Sequence, residues 1–181
     1  EGLRRVMRGR IAPALVLAAG LSCACSPALN WREFQPAGSQ ARLMFPCRPA
    51  SHARQVALAG TKVEMTMVAC SAGDTVFALS FVDLKDPGLV GAAFDDLARA
   101  LQSNLRAPEG AASQPAAVAG MTPHPRAAQW RLTGSLPDGR AMQERAALFS
   151  HGAVVYQATM LGPRLDHEAQ DVFFGALRVG A

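Results

Sequence analysis

The sequence predicts an α+β fold, a largely antiparallel sheet covered by two amphipathic helices. Three observations carry this. Several runs alternate apolar and polar residues at period two, the turns between them are short enough for hairpins, and two stretches repeat apolar residues at helical spacing. The chain has 181 residues, half of them hydrophobic, enough for one domain with an ordinary core.

The opening residues are set apart from that domain. Ile11 to Leu21 is the longest apolar run at 11 residues and follows the basic stretch Met7-Arg8-Gly9-Arg10. A basic segment, a short apolar segment and then small residues describe a signal peptide, here residues 1–24, and the run is too short to span a bilayer. Residues 25–29 read as a tether, and the α+β domain occupies 30–181.

That domain begins at "NWREF", Asn30 to Phe34. "ARLMFP" reads as a strand stopped by Pro46, and Ala53 to Leu58 as another. Gly60 turns the chain into "TKVEMTMVAC", where Val63, Met65 and Met67 alternate with Glu64 and Thr66. After the turn cluster Ser71 to Asp74, "TVFALSFVDL" places Phe77, Leu79 and Phe81 on one face and Val76, Ala78 and Val82 on the other. Apolar residues on both faces mark a central strand.

Asp86-Pro87 opens a helix, with Asp as the N-cap and Pro in the first turn. Val90, Phe94, Leu97, Leu101 and Leu105 then form one apolar stripe. Ala107 to Gly120 is poor in large side chains and reads as a loop. Ala128, Trp130 and Leu132 begin a strand, Pro137-Asp138-Gly139 supplies hairpin chemistry, Ala141 to Phe149 returns, and His151-Gly152 turns into Ala153 to Met160. The last helix is expected over Asp166 to Val179, on a stripe of Ala169, Val172, Phe173, Ala176 and Leu177.

"NWREF", "ARLMFPCRP", the long helix, "VVYQATM" and "AQDVFFGAL" together resemble small bacterial envelope proteins with the PsbP/DcrB-like fold, over most of residues 30–179. The resemblance implies a curved, largely antiparallel sheet flanked by helices, in a family rich in lipoproteins without assigned activity. It places no catalytic residue on this chain.

The two cysteines after the apolar run fit that setting. Gly20-Leu21-Ser22 before Cys23, and Ser22-Cys23-Ala24 before Cys25, both resemble the site where bacterial lipoproteins are cut and lipidated, although neither has Leu three residues ahead. Cys25 is preferred, for Ala24 just before it and Ser26-Pro27 just after, and parity agrees: this cut leaves Cys47 and Cys70 to pair in an oxidising compartment and strands no odd thiol. Ordinary cleavage, giving a soluble periplasmic protein, is the alternative. Ser26, rather than Asp, after Cys25 resembles the pattern for outer-membrane sorting.

Export also changes the charge. Four of the 18 basic residues and one of the 14 acidic ones precede Cys23, so the remainder carries 14 and 13, a net of +1. That leaves no strong field for nucleic acid.

Cys47 and Cys70 end two expected strands, and a disulfide between them would contribute about 3 kcal/mol across a loop of about 23 residues. His52, His124, His151 and His167 show no metal-ligand spacing and read as surface histidines in turns or at a helix start. Met44, Met65, Met67, Met142 and Met160 lie on strands; thioethers can take Cu(I), but no Met-x-x-Met run or nearby His supports it, and filling gaps in a core explains them. Ser80 and Ser150 sit in no nucleophile motif, and Asp95 and Asp96, adjacent on a helix, point apart. "GLVGAAF" lacks the Lys of a phosphate loop.

One segment is marked for interaction: "GMTPHPR", Gly120 to Arg126. Pro123 and Pro125 stiffen it, and His124 and Arg126 offer polar contacts. A rigid connection between strands is the plainer explanation. The expected function is a non-enzymatic envelope lipoprotein with no cofactor, no metal and no catalytic residue. It would bind an envelope protein partner while held to the membrane by its N-terminal lipid. A periplasmic module for a small ligand or Cu(I) is the alternative.

Overall fold

The structure is a computed structural model that describes residues 29–108 and 111–180. The expected export segment and Cys25 lie outside the described residues. Strand β1 (Arg32–Phe34) pairs with β2 (Ala41–Phe45), and β3 (Ala50–Leu58), β4 (Thr61–Ala72) and β5 (Thr75–Asp83) follow as a meander. The β3–β4 hairpin turns on Ala59 and Gly60, both at positive φ (52° and 73°), the geometry that suits strand twist. Ala59 is held there by its N–H, which donates to Asp96 Oδ2 at 2.8 Å.

Asp86 caps the next element as expected, its carboxylate accepting the Gly88 N–H at 2.8 Å. Pro87–Leu89 forms a 3-10 turn that runs into α1 (Val90–Asn104), whose buried residues Val90, Phe94, Leu97 and Leu101 belong to the expected stripe. Then come β6 (Ser113–Pro115), β7 (Ala128–Ser135), β8 (Ala141–His151), β9 (Val154–Gly162), α2 (His167–Gly175) and β10 (Arg178–Val179).

Seven strands form one antiparallel sheet in the order β3-β4-β5-β9-β8-β7-β6, which places β5 near the centre; β1, β2 and β10 form a separate three-stranded sheet. Alternation along each strand splits the core between the two faces of the large sheet. One face packs Phe77, Leu79, Phe149, Tyr156 and Met160 against the small sheet and α2. Phe173 of α2 meets both Phe45 of β2 and Phe77 of β5 edge-on, at 5.7 Å and 5.5 Å. The other face packs Val82, Ala146, Leu148 and Val155 against α1.

Two expectations are corrected. The segment from Ala107 to Gly120 is not all loop, because Ser113–Pro115 pairs with Ala128–Trp130; hydrogen bonding to an edge decides this, not side-chain size. The last helix stops at Gly175, and Arg178–Val179 leaves it to pair with β2. Leu177 and Val179 remain buried, so their apolar character was correctly legible although the helical period was not.

Cys47, just past β2, and Cys70, within β4, form a disulfide with Cα atoms 6.0 Å apart. It joins the small sheet to the large one.

Candidate functional site

The residues marked for interaction stand at the wall of a groove. Pro115, Ala117, Val118 and Ala119 form one side, and Met121, Pro123, His124 and Pro125 the other, around a volume of about 630 Å³. The lining is alanine, proline, valine and methionine apart from the His124 ring, so the groove is mainly apolar. Small side chains on rigid backbone leave space for large ones from elsewhere.

Backbone hydrogen bonds preform both walls. The Ala116 N–H donates to Ala127 O at 3.0 Å, Met121 N–H to Val118 O at 3.1 Å and Ala127 N–H to His124 O at 3.0 Å. Below them, Thr122 N–H donates to Ser150 O at 2.7 Å and Val179 N–H to Ala119 O at 2.9 Å. The second wall is therefore tied to β8 and the first to β10. Ala116 and Met121 pack partly against both halves of the core, which puts the groove where the two halves meet.

Gly120 joins the walls and cannot readily be another residue. Its φ is +80°, and a Cβ there would run into the carbonyl oxygen of Val179. The Gly120 carbonyl is in turn 2.9 Å from His151 Nδ1.

His124 and Arg126 both turn toward α1. The His124 ring meets Phe94 edge-on at 5.2 Å, and its Nδ1 accepts the Arg126 N–H at 3.1 Å. Arg126 Nη1 lies 3.3 Å from Asp95 Oδ2, and both side chains remain about half exposed. Gly91 of α1 permits this approach, since a Cβ there would fall 2.8 Å from Arg126 Nη1. Thus His124 lines the groove while Arg126 anchors the wall behind it.

Asp95 and Asp96 serve different partners, Arg126 and the Ala59 turn, and Asp96 also pairs with Arg99. His167 faces Asp171 at 3.1 Å on the exposed side of α2. Among the described residues, no group of three or more His, Cys, Asp or Glu is gathered where it could hold a metal ion.

Three features were missed in the sequence. The wall Pro115 to Ala119 carries no large residue to mark it, whereas Pro123 and Pro125 marked the other wall as rigid. His52 stands opposite Met67 in the β3–β4 register, with Met65 two residues along on the same face. Arg131 and Arg145 stand opposite each other on β7 and β8.

One buried acid stands apart. Glu144 on β8 is only 8% exposed, opposite Leu132 on one side and Leu161 on the other. Burial pushes its carboxyl up to about 7.

Compared with protein-family models, curated proteins and solved structures, the chain matches none.

Proposed function

We propose that this protein is a non-enzymatic lipoprotein of the bacterial envelope, of the PsbP/DcrB-like kind, which binds another envelope protein through the groove beside Gly120. Lipid on Cys25 holds it to the membrane, on the periplasmic side of the outer membrane. The preformed apolar groove is the observation that carries this reading. A recess already shaped by backbone hydrogen bonds loses little entropy when a partner's bulky apolar side chain fills it. Gly120, Pro123 and Pro125 supply that rigidity.

A photoreactive aromatic residue at His124, or one at Ala119, tests this in intact cells. Both positions line the groove, whereas Glu64 is exposed on β4 and serves as the control. Each groove position should capture the same envelope protein repeatedly, and Glu64 should not. Capture from Glu64 alone, or from no position, would reject the reading. The intact mass of the envelope-extracted protein checks the anchor separately; it should start at a triacylated Cys25.

A second reading, a Cu(I) module, draws on the register that sets His52 opposite Met67, because imidazole and thioether suit that ion. Arg54 stands opposite Met65 on the same face and opposes a cation there, which ranks this reading second. Anaerobic Cu(I) titration should then show a single equivalent bound, lost in both His52→Ala and Met67→Leu.

A further inference from the structure

On the face of the large sheet that carries α2, two arginines meet without an acid between them. Arg131 and Arg145 are direct cross-strand partners, an arrangement that is unfavourable for like charges. Among the described residues, neither has a carboxylate within ion-pair distance. Neutral groups hold them instead. Arg131 Nη1 donates to Gln170 Oε1 at 3.0 Å, and Gln170 is 7% exposed and fixed by its own bond to Leu165 O. Arg145 Nη2 donates to Gln129 Oε1 at 3.4 Å, and its guanidinium carbon lies 4.3 Å over the Phe174 ring.

A guanidinium has five N–H donors, so amide partners at these distances leave most of both forks unused. Burial first, and then the Arg131 charge, pull the Arg145 guanidinium below its usual value, while Asp171 works against them. Arg145 is thus partly desolvated, repelled by the exposed Arg131, and undersupplied with acceptors. An anion would relieve all three conditions.

The space around Arg145 describes the ligand. Three adjoining recesses include it, of about 240, 190 and 180 Å³. The largest runs from Arg145 along an apolar side of Val118, Ala147, Phe174 and Leu177, faced by Gln129 and Asp171. The other two are bordered by Gln114, Gln129, Gln143 and Gln170. Asp171 in the lining of the largest recess offsets part of the charge, and Glu144, which borders the smallest, is kept neutral by burial below about pH 7. That leaves a net near +1 there, which matches a monoanion better than a dianion.

We propose that Arg131 and Arg145 form a binding site for a small monocarboxylate with a short apolar substituent. The carboxylate sits between the two forks, where planar bidentate geometry suits guanidinium, and the substituent enters the recess beside Phe174 and Leu177. This site is separate from partner binding at the groove, although Ala117 and Val118 border both.

The test uses the full-length protein labelled with ¹⁵N, at constant ionic strength, following the arginine Nε–H signals. Hexanoate is the probe; hexanol shares its tail without the charge, and inorganic phosphate supplies charge without the tail. Hexanoate should shift the Arg131 and Arg145 signals saturably, and phosphate should bind more weakly. Hexanol should leave both signals in place. Arg131→Gln and Arg145→Gln should each weaken hexanoate at least about tenfold. A structural role for the pair would instead lower the melting temperature on substitution, whereas relief of repulsion keeps it equal or raises it. No saturable shift, equal affinity in both variants, or tighter binding of phosphate would each overturn the proposal. Arg145→Lys provides a folded control that keeps the charge and loses the fork; it should recover little of the affinity.

Discussion

Arg126 Nη1 stands 3.3 Å from Asp95 Oδ2, so one wall of the groove is tethered to helix α1 by a pair that solvent still reaches. The hydrogen bonds behind that wall are backbone contacts to β8, and Gly120 makes the sharp join between walls. The two kinds of restraint are expected to differ greatly in strength. Asp95→Ala should cost no more than about 0.5 kcal/mol, because half-exposed pairs are screened by water and salt. Gly120→Ala should cost about 1–3 kcal/mol from backbone strain, plus the displacement of Val179. Denaturant midpoints of the two variants check this. Similar midpoints would mean that the groove is not set by its backbone.

The Cys47–Cys70 disulfide closes a sequence separation of 23 residues and joins the two sheets. Loop-closure entropy puts its contribution at about 3 kcal/mol. The Cys47→Ser, Cys70→Ser double variant should lose that stability, and reduction of the unaltered protein should lose the same amount. Unchanged unfolding under reducing conditions would show that packing of Phe173 against Phe45 and Phe77 suffices to hold the sheets together.

Glu144 gives the fold a pH dependence of definite sign. Its folded pKa of about 7 lies above the ordinary glutamate value of 4.5, so between those values the folded state holds more protons than the unfolded state. Stability from this group is fully present below pH 4.5 and is lost as pH rises through about 7. The difference amounts to about 3 kcal/mol. Glu144→Gln should therefore be more stable than the parent at pH 8 and nearly equal to it at pH 4, and thermal melts across that range check this. Parallel pH profiles for parent and variant would show that folding leaves the carboxyl at its ordinary pKa.

Most of the fold was legible because period-two alternation and turn residues agree along the chain. Asp86-Pro87, the stripe from Val90 to Leu101 and the Pro137-Asp138-Gly139 hairpin each carry a local signal, and each lies where expected. The Ser113–Pro115 strand was not legible, since its only support is pairing with a distant edge. The end of α2 was misread because Leu177 and Val179 satisfy the apolar stripe of a helix and the inward face of a strand equally well. At the site, proline and glycine pointed to the second wall of the groove, but the first is built of alanines that carry no signal. The opposition of Arg131 and Arg145 depends on hairpin register, and so does that of His52 and Met67. A hairpin signal without a stated register cannot show which side chains meet across it.

The groove's role as a docking site for an envelope protein is tested most directly by blocking it. Ala119→Trp places a large side chain where the lining is now small. Capture of the partner by a photoreactive residue at His124, measured in intact cells with and without this substitution, gives the comparison. Blocking should reduce the cross-linked product at least about tenfold, the loss expected when a buried apolar anchor is displaced. Undiminished cross-linking, with the variant folded and present at the parent's level, would contradict docking in the groove.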